Sequence, residues 1–259
     1  MIGAKYVRDI ENGEIVVITE SGMESIKPFK KIAERPCIFE RIYFASPDSI
    51  VGNKTVYTYR KALGEQLAIE NNIIADVVVP IPDSGVSAAI GFSQKSKIPF
   101  ELGIIRSHYV GRTFIEPSQT IRQFGVKLKH SVNRSCIENK KVILIDDSIV
   151  RGTTASKIVK MVYEAGAKEV HLGISCPPIL HPDFYGIDTP NYNQLIAYKS
   201  SIKEMTEIVG ANSLFFLSLN GTYKAMGCEK RDSNTPQFTD HCFTGEYPID
   251  VTEILKLNR

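Results

Sequence analysis

Two adjacent acids, Asp146 and Asp147, end a run of four apolar residues, 142–145 (VILI), and small residues follow them. Neighbouring carboxylates at the end of a buried strand can hold sugar hydroxyls or the water shell of a hard cation such as Mg²⁺. The loop closes on residues 152–154 (GTT), where glycine and the free N–H groups of a helix start make a phosphate cradle. A helix cap alone explains one acid or Ser148, but not both acids and this loop. The pattern therefore favours a site for a phosphorylated ligand.

A second polar turn follows another apolar run, at residues 79–85 (VPIPDSG), and precedes a helical segment. Its backbone amides are placed to receive a second anionic group. Taken alone, this segment is an ordinary turn and helix cap. Beside the paired acids, it predicts a second cradle in the same site.

The order of apolar and helical segments predicts how these turns are positioned. Short apolar strands are expected at residues 77–79, 101–105, 142–145, 170–174 and 214–217. Helical segments are expected between them, at residues 87–95, 154–164 and 202–209. This alternation is typical of βαβ units that build a parallel sheet.

The flanking segments are less regular. Residues 13–19 predict a strand that runs into a turn at 20–22, residues 37–39 and 42–44 are β-prone, and residues 59–71 have helical spacing. A long polar segment between Arg106 and Cys136 has no sustained periodicity, and loops of that length are usually functional or mobile.

Composition favours a soluble globular protein with small-molecule partners. Of its 259 residues, 43% are apolar and 23% are charged, and the net charge of +2 comes without a long basic run. We therefore expect no nucleic-acid partner, no membrane span and no signal peptide, and a cytoplasmic location. The five cysteines form no CxxC pair and are expected to be free thiols.

Residues 142–154 (VILIDDSIVRGTT) resemble the phosphoribosylpyrophosphate (PRPP) motif of type I phosphoribosyltransferases. Residues 109–115 (YVGRTFI) narrow the resemblance, because they are similar to the catalytic loop of glutamine PRPP amidotransferases. Further segments match that family in order along the chain: 36–40 (PCIFE), 43–49 (YFASPDS), 164–167 (EAGA), 181–188 (HPDFYGID) and 242–248 (CFTGEYP).

The resemblance implies an α/β, type I phosphoribosyltransferase fold with a central parallel sheet flanked by helices. It also implies a reaction in which ammonia displaces pyrophosphate at C1 of PRPP, giving 5-phosphoribosylamine for purine synthesis, with Mg²⁺ as cofactor. The implied catalytic residues are Tyr109, Arg112, Asp146 and Asp147. The implied metal ligands are Ser84, Asp146 and Asp147. The implied PRPP-binding residues are Asp83, Ser84, Gly85, Asp146, Asp147, Ser148, Val150, Arg151, Gly152, Thr153 and Thr154.

The chain also departs from the family pattern. Residues 1–29 resemble the end of the family's glutaminase domain, so we divide the chain into this remnant and a phosphoribosyltransferase domain, 30–259, with a C-terminal extension. We expect ammonia, not glutamine, to supply the nitrogen. Cys37 matches one iron–sulfur ligand position of some members, but Asp183 occupies another and paired cysteines are absent near residues 235–238, so no iron–sulfur cluster is expected.

Other properties that the resemblance implies are a homo-oligomer and inhibition by purine nucleotides. The segment Arg106-Ser107-His108 stands where relatives usually have Lys-Asn-Arg. This departure counts against nucleotide inhibition of the family type. Two rival functions share residues 146–154: a base-salvage phosphoribosyltransferase, and a non-catalytic PRPP or nucleotide sensor. The first lacks the 109–115 loop and the CFTGEYP segment, and retention of both acids, Ser84 and Arg112 disfavours the second.

Overall fold

The computed structural model describes residues 3–107, 130–187, 189 and 191–253. At the N-terminus, β1 (Ile15–Thr19) and β2 (Gly22–Ile26) pair in an antiparallel hairpin that forms a sheet of its own. A coil leads from it to a short π-helix (Glu40–Phe44) and to a second small hairpin, β3 (Ile50–Val51) and β4 (Lys54–Thr55). These elements precede the central sheet.

The central sheet has four parallel strands. In spatial order the strands are β10 (Ser213–Phe216), β9 (Glu169–Ile174), β8 (Lys141–Asp146) and β5 (Val77–Pro80). Residues 142–145 of β8 are fully buried, as are Val77, Val78 and Val79 of β5. Runs of β-branched and aliphatic residues form such strands because helices cover both faces of a parallel sheet.

Helices connect and flank these strands. The helices are α1 (Val56–Glu70), α2 (Val86–Ser96), α3 (Arg134–Ile137), α4 (Thr153–Glu164), α5 (Ile196–Lys199), α6 (Ile202–Val209), α7 (Leu219–Ala225) and α8 (His241–Thr244), with a 3₁₀ turn at Tyr192–Gln194. Helix α4 buries Ala155, Ile158, Val159 and Val162, the helical spacing that the sequence shows. Helix α6 begins at a capping box of Ser201 and Glu204 and ends at Gly210.

The structure confirms the α/β class, the parallel sheet and most of the predicted elements, and it corrects two segments. Residues 37–39 and 42–44 are β-prone in the sequence, but residues 40–44 form the π-helix. The segment 101–105 was expected to be a strand of the main sheet. Instead, β6 (Ile104–Arg106) pairs antiparallel with β7 (His130–Val132), while Phe100 makes only a single bridge to Val78. Both corrections concern short segments whose state depends on distant partners.

Candidate active site

The paired acids lie at the carboxyl end of β8, next to the end of β5. Pro80 is paired with Ile145, so the loops that follow the two strands leave the sheet side by side. Asp147 is buried, with 4% of its surface exposed, and its backbone N–H donates to Asp146 Oδ1 at 2.9 Å. This adjacency places the two predicted cradles at one edge of the sheet, where ligands bind in open α/β folds.

Ser84, in the turn after β5, lies beside the two acids at the end of β8. Its side chain lies close enough to both acids of the pair to lower the pKa of each carboxyl. The next residue, Gly85, lies so close to β8 that a Cβ there would approach the Ile145 carbonyl oxygen to 2.3 Å. Only glycine fits this contact without a backbone shift, and the contact holds Ser84 over the end of β8.

Burial and mutual repulsion govern the ionisation of the acid pair. Burial, and then the charge of Asp147, raise the pKa of Asp146 well above its usual value. Burial also raises the pKa of Asp147, but hydrogen bonds from Ser148 and Ser84 and the positive charge of Arg60 oppose that rise. The pair as a whole therefore holds a proton to higher pH than two free aspartates would.

The residue set at this edge fits a magnesium ion that arrives with a phosphorylated ligand. The buried Asp147 carboxylate, the half-buried Asp146 carboxylate and the Ser84 hydroxyl supply hard oxygen donors, and a cation would relieve the repulsion between the two acids. Among the residues that the structure describes, no group of three or more His, Cys, Asp or Glu side chains is placed to hold a metal by itself. Mg²⁺ does not need such a cage, because it keeps several waters and binds through one or two carboxylates plus ligand phosphates.

The loop after β8 presents the start of α4 without a side-chain cap. Gly152 adopts a φ of 75°, a left-handed conformation that favours glycine, and makes no side-chain bond to the helix N-terminus. Thr153 and Thr154 are exposed there. The first N–H groups of a helix have no partner within the helix, so this end is suited to bind phosphate. Ser148 and Val150, also predicted as binding residues, are half-buried in the same loop.

Two arginines that flank the site have partners in the structure. Arg151, a predicted binding residue, donates from Nε to Gln194 Oε1 at 2.9 Å and also from Nη2. Arg106 forms an ion pair with Asp83, another predicted binding residue, which is exposed. Tyr109 and Arg112, predicted as catalytic, lie outside the described residues.

Sequence reasoning did not identify Arg60 or Gln194 as parts of this site. Arg60 lies on α1 with 4% of its surface exposed, and donates to the carbonyls of Arg41 (3.2 Å) and Ala45 (2.7 Å). A buried arginine on a helix face gives no sequence signal, because its neighbours come from distant segments. The apolar residues around it on α1 look the same whether or not a charged group lies among them.

The region that matches iron–sulfur positions is occupied by other interactions. Asp183 is engaged by His241, whose Nε2 lies 2.7 Å from Asp183 Oδ2, and by the backbone N–H groups of Tyr185 and Ile187. Its pKa is lowered because these hydrogen bonds outweigh its burial. Cys37 is a half-buried free thiol whose pKa is raised by burial. The absence of an iron–sulfur cluster stays a prediction.

Comparison with known proteins identifies the fold and the group of relatives. A model of the phosphoribosyl transferase domain matches residues 61–183. An amidophosphoribosyltransferase of Rhizobium etli is 58% identical over 259 residues, covering 98% of this chain and 52% of the relative. The amidophosphoribosyltransferase of Bacillus subtilis is 48% identical over 251 residues, covering 97% of this chain and 52% of the relative. The chain thus spans about half the length of the curated relatives it matches.

A solved structure agrees with these relatives. The glutamine PRPP amidotransferase of B. subtilis, complexed with ADP and GMP, superposes with a TM-score of 0.86 at 48% identity, covering 97% of this chain and 55% of that one. Fold and site together define a type I phosphoribosyltransferase domain. Within that class, the chain is similar along nearly its whole length to one half of the amidophosphoribosyltransferases.

Among the described helices, none combines the length and hydropathy that a membrane span requires.

Proposed function

We propose that this site binds Mg²⁺-PRPP and transfers ammonia to C1 of the ribose, with loss of pyrophosphate, to give 5-phosphoribosylamine. The observation that carries the proposal is the meeting of Ser84 with the acid pair, beside the uncapped start of α4. Relatives named amidophosphoribosyltransferase, 58% and 48% identical, support this reaction over base salvage. The proposal places the chain in purine synthesis.

The proposal assigns the 5-phosphate, the pyrophosphate and the ribose of PRPP to different residues of the site. The N–H groups at the start of α4, with Thr153 and Thr154, receive the 5-phosphate, while the turn at Asp83, Ser84 and Gly85 receives pyrophosphate. The Asp147 carboxylate accepts hydrogen bonds from ribose hydroxyls, and Ser148 donates a hydrogen bond that holds one of its oxygens in place. Mg²⁺, when bound, supplies positive charge that stabilises the leaving pyrophosphate.

The loop residues Tyr109 and Arg112 complete the proposal through resemblance alone. Arg112 is proposed to contact the leaving group and Tyr109 to help exclude water from C1. Exclusion of water matters because water competes with ammonia for C1 of PRPP. Substitution of Arg112 by methionine is therefore expected to lower pyrophosphate release more than it lowers PRPP affinity.

Purine nucleotides are proposed as further ligands of this domain. The solved B. subtilis structure is complexed with ADP and GMP. A nucleoside monophosphate carries a ribose 5-phosphate group, which the start of α4 is suited to bind. Competition between GMP and PRPP in an equilibrium binding assay tests this point.

The test of the proposed reaction is an assay of pyrophosphate release from PRPP. The purified chain is supplied with Mg²⁺ and, in separate arms, with ammonium chloride, with adenine or guanine, with glutamine, or with no nitrogen source. Release driven by ammonium alone is the expected result. Release driven by free bases would show a salvage enzyme, and PRPP binding without release in any arm would show a sensor.

A further inference from the structure

The segment after the 3₁₀ turn packs directly on the loop that follows β8. The backbone N–H of Ile196 donates to the Val150 carbonyl at 2.8 Å, although the two residues lie far apart in the chain. A Cβ at Gly152 would lie 2.7 Å from Ile196 Cδ1, so the isoleucine side chain touches the glycine backbone. The residues on both sides of Arg151 are thus fixed by one segment.

The segment that packs on this loop, residues 195–196, is itself held in place by burial and hydrogen bonding. Leu195 is fully buried and Ile196 is 8% exposed, and the Leu195 N–H donates to the Tyr192 carbonyl at 3.1 Å. Immediately after α5, the capping box of Ser201 and Glu204 fixes the start of α6. A buried and hydrogen-bonded segment is a firm base from which a side chain can hold another one in place.

Gln194 extends from this base to the side chain of Arg151. Its Oε1 accepts two hydrogen bonds, one from Arg151 Nε at 2.9 Å and one from Nη2. Two donors of one rigid guanidinium on a single acceptor fix the plane of the group. Arginine has five N–H donors, so three remain for a ligand at the phosphate loop.

We propose that Gln194 is a positioning residue that acts through Arg151, holding its guanidinium in the orientation that receives a phosphate of the ligand. This inference rests on the proposed function, because PRPP is the ligand whose phosphate Arg151 would meet. Holding a long side chain in one rotamer before the ligand arrives reduces the entropy lost on binding.

Gln194 acts by orienting the guanidinium of Arg151, not through a charge of its own. The Arg151–Gln194 pair is exposed to solvent, so a charge placed at residue 194 would be screened and would weaken phosphate binding little. A glutamate there would still accept both Arg151 donors. A leucine of similar size would accept neither.

The experiment measures Mg²⁺-PRPP binding by calorimetry, and steady-state pyrophosphate release, for Gln194→Leu and Gln194→Glu in the full chain. Gln194→Leu is expected to weaken PRPP binding about threefold to tenfold, as for one lost charge-assisted contact, with kcat little changed. Gln194→Glu is expected to stay within about twofold of the unmodified chain. Gln94→Leu, on the exposed last turn of α2, is the matched control and should bind normally.

A double-mutant cycle with Arg151→Met decides whether Gln194 acts through Arg151. In the Arg151→Met background, Gln194→Leu should add no further loss of affinity. An equal loss in both backgrounds, unchanged affinity in the single Gln194→Leu variant, or loss of affinity in Gln194→Glu as large as in Gln194→Leu would overturn the inference while leaving the proposed function in place. Absence of PRPP binding by the unmodified chain would overturn both.

Discussion

At the scale of single residues, Asp147 is the side chain whose substitution separates ligand binding from folding. Asn has the same shape and no charge, so Asp147→Asn removes the carboxylate that we propose accepts ribose hydroxyls, without opening a cavity. We expect Mg²⁺-PRPP binding to weaken by about tenfold or more, the effect of losing a hydrogen bond to a charged group. Calorimetry gives the affinity and thermal melting checks the fold. The control is Asp250→Asn, an exposed acid near the C-terminus; near-normal affinity of Asp147→Asn would remove Asp147 from the binding site.

The partner acid, Asp146, should make stability depend on pH. Its pKa is raised in the folded state, so between the unfolded value of about 4 and the folded value the native chain holds one proton more than the unfolded chain. The stability from this group is complete below the unfolded pKa and is lost as pH rises through the folded one. Asp146→Asn cannot titrate and should lack this decline.

Chemical denaturation at pH 5, 6, 7 and 8, without Mg²⁺, measures the effect. The unmodified chain should lose stability relative to Asp146→Asn as pH rises, and the two chains should differ least at pH 5. Parallel stability curves across this range would show that burial does not perturb Asp146.

At the scale of elements, the contact between the start of α2 and the end of β8 positions Ser84. A Cβ at Gly85 would meet the Ile145 carbonyl oxygen at 2.3 Å and the Ile81 carbonyl oxygen at 2.8 Å. Gly85→Ala should therefore push α2 from β8, cost about 1–3 kcal/mol as overpacking does, and weaken PRPP binding.

Gly210→Ala is the matched control for that substitution. Gly210 has a φ of 75°, and a Cβ added to it would meet nothing within 4 Å, so alanine there should cost about 1 kcal/mol from backbone strain alone. PRPP affinity should not change in the control. Equal loss of affinity in both variants would show that the effect of Gly85→Ala is general destabilisation.

The sequence predicts those elements whose signals are local. Residues 142–154 contain the apolar run, the paired acids and the loop of small residues without interruption. Strand β8, the site at its end and the start of α4 can therefore all be predicted from the sequence. Residues 37–39 and 42–44 are apolar and β-prone, yet residues 40–44 form a π-helix, and Arg60 from α1 donates to the carbonyls of Arg41 and Ala45 at this segment. Residues 101–105 give a strand signal, but pairing with β7 decides which sheet they join. Gln194 and Arg60 escape prediction for the same reason, because their partners are distant in the chain.

At the scale of the whole molecule, the N-terminal hairpin is separate from the transferase sheet. Strands β1 and β2 pair only with each other among the described strands, and expose apolar side chains such as Ile18 (78%) and Met23 (52%). Isolated two-stranded hairpins are marginally stable in water. Deletion of residues 1–29 should leave PRPP affinity within about twofold, because no proposed site residue lies there. Loss of folding in the deleted chain, seen by circular dichroism, would contradict the boundary at residue 29.

The nitrogen source of the whole chain gives the last prediction. The proposed site activates PRPP through its leaving group, so the nucleophile needs little help beyond being neutral. Ammonium has no lone pair, and the free amine grows as pH rises. At fixed total ammonium, PRPP and Mg²⁺, pyrophosphate release should therefore climb with pH in proportion to free ammonia. Measured rates plotted against free ammonia should fall on one line from pH 7 to 9, up to the pH where circular dichroism shows unfolding. A rate that follows total ammonium, or that stays flat with pH, would show that ammonia is not the group that attacks C1.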